Sequence, residues 1–98
     1  MGTAVFIGDE LSAAGFRLTG IATLVPKPEA AGAAFEEASS RSSLIIITAD
    51  VARHIPAAQL EAAMLAEAPA IAIVPDVLFS AFPPDLIRRL RGVLGIEA

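Results

Sequence analysis

Four short apolar runs rich in β-favouring residues recur along the chain, and a stretch with helical spacing follows each of them. The runs are Ala4–Ile7, residues 21–25, Leu44–Thr48 and Ala70–Val74. Strands that alternate with helices in this way form right-handed crossovers, which make the strands parallel and place helices on both faces of the sheet. The alternation therefore predicts an α/β fold with four parallel strands in the order 2-1-3-4, the smallest flavodoxin-like or receiver-like arrangement.

The last two of these runs are apolar on both faces of the strand. Leu44–Thr48 reads LIIIT and Ala70–Val74 reads AIAIV. A strand with one face in water alternates apolar and polar residues, whereas a strand covered on both faces shows a nearly continuous apolar run. We therefore expect both strands to be buried between helical layers.

The first helix is predicted to start after Asp9, whose carboxylate can accept hydrogen bonds from the free backbone N–H groups of the first turn. It should end near Gly20, because glycine readily adopts the left-handed conformation that closes many helices. Spacings of three and four place one stripe against the sheet, and its members are Leu11, Ala14, Gly15 and Leu18. Phe16 lies about 140° around the helix from Leu11, off this stripe.

The second helix is predicted over residues 28–39 and the third over residues 56–67. Both begin with proline, which suits the first helical position because its missing N–H has no partner there. The positions expected to face inward are Ala31, Ala34, Phe35 and Ala38 in the second helix, and Leu60, Ala63 and Met64 in the third.

A fourth helix is predicted over residues 85–94, and it is amphipathic and basic. Its apolar face holds Leu86, Ile87, Leu90, Val93 and Leu94, and its polar face holds Arg88, Arg89 and Arg91. We assign residues 1–78 to a receiver-like α/β domain, and residues 79–98 to a connection and this C-terminal helix.

The composition bounds the class of protein. The chain has 98 residues, enough for one domain, and 55% of them are hydrophobic, which excludes a disordered chain. A net charge of −4 argues against a nucleic-acid partner, which needs a basic face. The chain has no cysteine, no apolar stretch of bilayer length and no secretory n-region. We therefore expect a cytoplasmic protein that does not insert into a membrane.

Three acidic residues follow strands that are neighbours in the predicted sheet. Asp9 and Glu10 follow the first strand and Asp50 follows the third, so they should meet at the carboxyl edge, where α/β ligands usually bind. Receiver domains place a magnesium-binding acidic pair and a phospho-accepting Asp there. A clamping lysine is missing, because Lys27 is the only lysine. We favour Asp9 and Asp50 as helix N-caps over a metal or phosphoryl site.

The sequence contains no recognisable catalytic or cofactor site. Gly8 and Gly15 lack the spacing of a dinucleotide-binding loop, and no phosphate-binding GxxxxGK[ST] motif occurs. His54 is the only histidine, and one imidazole without a nearby nucleophile makes a poor catalyst. We therefore predict no catalytic residue, no cofactor and no metal.

Two features are better explained by a protein partner. Phe16, with Arg17 beside it, lies off the stripe expected to face the sheet, and the alternative is that Phe16 packs on a neighbouring helix. The connection over residues 77–82 carries Val77, Leu78, Phe79 and Phe82. Loops usually run over the surface, so these side chains would form an apolar binding patch. The alternative is that the segment folds under the domain as core.

The stretch Gly15-Phe16-Arg17-Leu18-Thr19-Gly20-Ile21 carries a family resemblance. The chain resembles the F subunits of the V-type (archaeal or vacuolar-type) rotary ATPases, which open with a short strand, a Gly-Asp and a helix carrying Gly-Phe-Arg-Leu-x-Gly. This chain keeps that order, with the strand AVFI, then Gly8-Asp9, then GFRLTGI. The strand LIIIT followed by an acidic residue is similar to the family's third strand, and residues 87–96 are similar to its closing basic helix.

The resemblance implies a receiver-like fold and a non-catalytic rotor component of the central stalk. Such a component binds the coiled-coil D subunit of the stalk, contacts catalytic-head subunits, lies peripheral to the membrane and helps couple ATP turnover to ion transport. The residues expected to bind the partner are Phe16, Arg17, Val77, Leu78, Phe79, Phe82, Leu86, Ile87, Arg88, Arg89, Leu90, Arg91, Val93 and Leu94. The alternative functions are a degenerate receiver-like signalling domain and a small magnesium-dependent acidic-site protein.

Overall fold

The computed structural model describes residues 3–75 of the chain. The elements, in order, are β1 (Ala4–Ile7), α1 (Glu10–Arg17), β2 (Ala22–Leu24), a 3-10 turn (Pro28–Ala30), α2 (Ala31–Arg41), β3 (Leu44–Thr48), α3 (Ala49–Ala52), α4 (Ala57–Leu65) and β4 (Ala70–Val74). The predicted connection over residues 77–82, the predicted helix over residues 85–94 and the predicted domain boundary at residue 78 lie outside the described residues.

The four strands form one parallel sheet in the order β2-β1-β3-β4, which confirms the predicted α/β topology. The register runs unbroken from β1 through β3 to β4. Phe6 pairs with Ile46, and Ile46 pairs with Ala72. Because paired residues in a sheet share a face, each such row can be followed across three strands.

The core lies on the face of the sheet that α2 and α3 cover. Its strand residues are Val5, Ile7, Ile45 and Ile47, and its helix residues are Ala31, Phe35, Ala38, Val51 and Ala52. Phe35 is the one large helix residue among the fully buried side chains of this cluster, and it lies between two small alanines at positions 31 and 38. These alanines let α2 lie close to the sheet, as predicted from their spacing.

α1 covers the opposite face, but with a different stripe from the predicted one. Ser12, Ala13 and Ala14 are buried, whereas Leu18 is 73% exposed. The ring of Phe16 stacks on that of Phe6, with 4.4 Å between the centroids. The prediction that Phe16 lies off the sheet-facing stripe is therefore wrong. The small residues at positions 12 and 13 allow α1 to approach the sheet, and Phe16 then covers the largest side chain of β1.

The segment between β3 and β4 holds two helices where one was predicted. α3 begins directly at the end of β3, where the Thr48 hydroxyl accepts a hydrogen bond from the Val51 backbone N–H over 3.4 Å. α4 follows over the predicted region, with Leu60 and Ala63 packed against the core. Met64, which was expected to face inward, is 54% exposed.

β4 is less buried than its apolar sequence predicts. β3 is largely buried, as expected, but no residue of β4 is, and Ile73 is 42% exposed. Within residues 3–75, β4 is an edge strand that pairs with β3 alone. The helix that packs against it, α4, has no fully buried residue, so it covers β4 only in part. The expectation that both last strands are buried between helical layers holds for β3 alone.

Candidate functional site

Asp9 caps α1, as predicted. Its Oδ2 accepts a hydrogen bond from the Ser12 backbone N–H at 2.9 Å, and its Oδ1 accepts one from the Ser12 hydroxyl at 2.7 Å. These two bonds satisfy a free N–H of the first turn and a buried hydroxyl together. Asp9 therefore has a local structural role at the carboxyl edge of the sheet.

Asp50 does not cap a helix, and the prediction that it does is wrong. The capping residue of α3 is Thr48, and Asp50 lies in the first helical turn, where it pairs with Arg53 at 2.8 Å. The physical reason is that α3 starts immediately at the end of β3, so the last strand residue takes the capping position. An acidic group in the first turn is favoured by the helix dipole without acting as a cap.

The acids at the carboxyl edge each have a partner of their own. Glu10 accepts hydrogen bonds from both terminal nitrogens of Arg17 at 3.2 Å, while Asp50 is paired with Arg53. Within residues 3–75, no group of three potential ligating residues is placed to hold a metal ion. Local structural contacts therefore account for these carboxylates, although the favoured interpretation as helix N-caps holds for Asp9 and not for Asp50.

Arg17 joins α1 to the edge strand β2. Its Nε donates a hydrogen bond to the Thr23 hydroxyl at 3.0 Å, in addition to the pairing with Glu10, and its side chain is half exposed. Phe16 is half-buried against Phe6. Both residues proposed as partner contacts thus also hold α1 on the sheet.

The GFRLTG motif ends in a turn that depends on glycine. Thr19 and Gly20 donate backbone hydrogen bonds to the carbonyls of Phe16 and Arg17. Gly20 has a φ of +87°, in the left-handed region that L side chains rarely adopt. The predicted role of Gly20 at the end of the first helix is confirmed, two residues beyond the C-cap Leu18.

A second glycine of the resemblance, Gly8, occupies a site with no room for a side chain. A Cβ built there would lie 2.5 Å from Cζ of Phe6 and 2.6 Å from Cγ2 of Thr48. Gly8 therefore allows close packing at the end of β1, and Asp9 next to it caps the start of α1.

Sequence reasoning missed the exposure of apolar residues at the β4 edge of the sheet. We call these residues the β4 flank: Met64 and Leu65 end α4, Ile73 lies on the face of β4 that α4 covers, and Ala70 and Ala72 lie on the opposite face. Apolar residues in these runs were assigned to the core, as their type suggests. The composition of α4 could have indicated this exposure, because every residue of the helix except Gln59 and Glu61 is apolar. A helix that is apolar all round is normally covered all round.

The remaining predicted partner residues, which lie at positions 77–94, are outside the described residues. Within residues 3–75 no helix is long and apolar enough to cross a membrane.

Comparison with known proteins decides the family. A family model described as ATP synthase (F/14-kDa) subunit matches residues 4–85. The chain belongs to the ATP synthase (F/14-kDa) subunit family. No curated protein matches the chain. The family model begins at the first residue of β1 and runs past the end of β4, so it includes every described element of the sheet.

Family membership agrees with the resemblance found in the sequence. The chain is an accessory subunit of a rotary ATP synthase or ATPase, as the resemblance indicated. Its protein partners are therefore other subunits of that complex. The Gly8-Asp9 and GFRLTG segments, on which the resemblance rested, supply the tight packing, the cap and the turn that hold α1 on the sheet.

Proposed function

We propose that this protein is a non-catalytic rotor component of the central stalk of a V-type rotary ATPase or ATP synthase. It binds the long coiled-coil subunit of that stalk, lies on the cytoplasmic side peripheral to the membrane, and helps to couple ATP turnover to ion transport. The observation that carries the proposal is the family match over residues 4–85. A small parallel α/β domain whose acids are individually paired is consistent with a binding role.

The partner-binding residues proposed from the sequence belong to three segments. The first is the pair Phe16 and Arg17, and the others are the connection and the C-terminal helix. Their members are Val77, Leu78, Phe79, Phe82, Leu86, Ile87, Arg88, Arg89, Leu90, Arg91, Val93 and Leu94. Catalytic-head subunits are a second class of partner in this proposal.

The test of the proposal is binding to the coiled-coil subunit. The full chain and the coiled-coil subunit of the same organism are co-expressed with a tag on the coiled-coil subunit alone, and the molar mass of the purified complex is measured by light scattering. We expect a stable one-to-one complex. Recovery of the coiled-coil subunit without this chain, although both are folded, would contradict the proposal.

The absence of catalysis is tested separately. Titration of the full chain with MgATP in a calorimeter should give no binding heat at micromolar protein, and the chain should release no phosphate. The motivation is that the sequence has no phosphate-binding glycine loop followed by lysine. ATP binding at micromolar concentration would show that the chain has a nucleotide site of its own.

The three arginines of the predicted C-terminal helix give a test of electrostatic steering. Arg88, Arg89 and Arg91 are the basic groups of that segment in a chain of net charge −4. Replacing all three with Gln should slow association with the coiled-coil subunit by about tenfold at low salt, and by less at high salt where charges are screened. Equal rates at every salt concentration would remove these residues from the binding surface.

A further inference from the structure

The segment that contains α4 has no buried residue along its whole length, although the residues on either side of it are buried. We call this segment, residues 56–68, the α4 strap. Ile55, directly before it, is 5% exposed, and Pro69, directly after it, is also buried. The helices α1, α2 and α3 differ from α4, because each of them has at least two buried residues. The strap is therefore fixed at its two ends and lies on the surface of the domain between them.

Few contacts hold the middle of the strap on the domain. Leu60 and Ala63 are only partly buried where they pack against the core. The start of α4 has no side-chain cap, since its capping position is occupied by Pro56. The strap is joined to α2 by a side-chain hydrogen bond, in which Nε2 of Gln59 donates to the carbonyl of Gly32 over 2.9 Å. We call this hydrogen bond the clasp.

The clasp depends on the glycine at position 32. A Cβ built on Gly32 would lie 3.0 Å from Oε1 of Gln59 and 3.2 Å from Cδ of Pro56. Both distances are shorter than ordinary packing distances of about 3.5–4.0 Å. The start of α4 therefore lies close to α2 because residue 32 has no side chain.

The strap covers an apolar part of the sheet. Ile71 and Ile73 of β4 pair with Ile45 and Ile47 of β3, so they lie on the core face of the sheet. β3 has three buried residues, whereas the strap has none. Segments that bury few apolar side chains open at a lower free energy than segments in the core. The strap is thus the part of this face that should open first.

We infer that the α4 strap opens as a unit from the folded domain, and that the Gln59–Gly32 clasp controls how often it opens. Ile55 and Pro69 stay in place as the fixed ends, and the sheet keeps its pairing. The open state exposes the core face of β4 together with the inner side of α4. This opening is a property of the free domain and does not depend on the proposed rotor function.

The test is hydrogen exchange of the full chain, followed by mass spectrometry. The backbone amides of residues 60–65 in α4 are compared with those of residues 45–48 in β3, with and without about 1 M urea. We expect the α4 amides to exchange about a hundredfold faster than the β3 amides. Urea should change the α4 rates little, because opening of the strap exposes little surface, and it should accelerate exchange in β3.

A pair of substitutions tests the clasp. Gln59→Ala removes the hydrogen bond to Gly32 and should accelerate exchange of residues 60–65 by about fivefold, which is the net contribution of one such bond. The β3 amides should stay within about twofold of their rates in the unchanged chain. The matched control is Glu61→Ala, which changes an exposed residue of the same helix. Glutamine and glutamate have similar helix propensities, so any difference between the two variants reports the clasp.

Three results would overturn the inference. Equal exchange rates and equal urea dependence in α4 and β3 would mean that the strap opens only when the whole domain unfolds. Acceleration of β3 as large as that of α4 in Gln59→Ala would mean that the hydrogen bond stabilises the whole domain. An α4 rate that is the same in Gln59→Ala and Glu61→Ala would mean that the clasp does not control opening.

Discussion

The close packing at Gly8 gives the sharpest prediction about the stability of this domain. In the Gly8→Ala variant the new methyl group would lie 2.5 Å from Cζ of Phe6 and 2.6 Å from Cγ2 of Thr48. Carbon atoms pack at about 3.5–4.0 Å, so each neighbour has to move by about 1 Å. Phe6 is fully buried and stacked on Phe16, while Thr48 is 3% exposed and caps α3. Both side chains are buried, so moving either one disturbs its packing.

The expected cost follows from these two clashes. Adding a methyl group to a well-packed site costs about 1–3 kcal/mol, and two buried neighbours at once place Gly8→Ala at the upper end, about 3 kcal/mol. For a domain of this size that corresponds to a fall in melting temperature of about 12–24 °C. Circular dichroism during heating, together with chemical denaturation of the full chain, measures both quantities.

A second substitution tests the cause of the effect. Thr48→Ser removes Cγ2 but keeps the hydroxyl that accepts the Val51 N–H. The double variant Gly8→Ala with Thr48→Ser should therefore recover about 1 kcal/mol relative to the sum of the two single variants, in a double-mutant cycle. A melting temperature for Gly8→Ala within about 3 °C of the unchanged chain would refute the packing argument. Strict additivity in the cycle would refute the role of the Thr48 methyl group.

Three further substitutions, two of them with a control substitution, test the way α1 is held on the sheet. Asp9→Ala should lower the free energy of unfolding by about 1 kcal/mol because a cap is lost, whereas Asp9→Asn should lose much less; equal losses in denaturation would contradict the capping role. Phe16→Ala should lower the free energy of unfolding by about 3 kcal/mol, because the stacking on Phe6 is lost. Leu18→Ala, at a position that is 73% exposed, should change it by less than about 0.5 kcal/mol. A larger loss for Leu18→Ala than for Phe16→Ala would show that the sheet-facing stripe of α1 is misassigned. Gly20→Ala should cost about 1–2 kcal/mol because φ is +87°, and an unchanged melting temperature would mean that the turn adapts.

The β4 flank shows why the exposure of apolar residues was harder to predict than the fold. Exposed and buried positions of an apolar helix or strand carry the same types of side chain, so residue type does not distinguish the two. Met64 was predicted to face inward and is 54% exposed instead. Phe16 was predicted to lie off the sheet-facing stripe and stacks on Phe6 instead. Both errors concern which neighbour a side chain meets.

The sequence by itself determined the features that depend on neighbours along the chain. The alternation of apolar runs with helical spacing was enough for the parallel order β2-β1-β3-β4, because short right-handed crossovers leave few other topologies. The bounds of β1, β3 and β4 agree with the predicted runs. The cap at Asp9 and the positive φ at Gly20 were also predictable, since each depends on a few successive residues.

The tertiary structure decided the features that depend on contacts between distant segments. The predicted stripe and the stripe of Ser12, Ala13 and Phe16 are both compatible with helical spacing, and only the ring of Phe6 beneath α1 selects the second. Thr48 takes the capping position from Asp50 because β3 runs directly into α3. The exposure of β4 likewise follows from its place at the edge of the sheet that residues 3–75 form. The same apolar sequence between two strands, covered on both faces, would be buried.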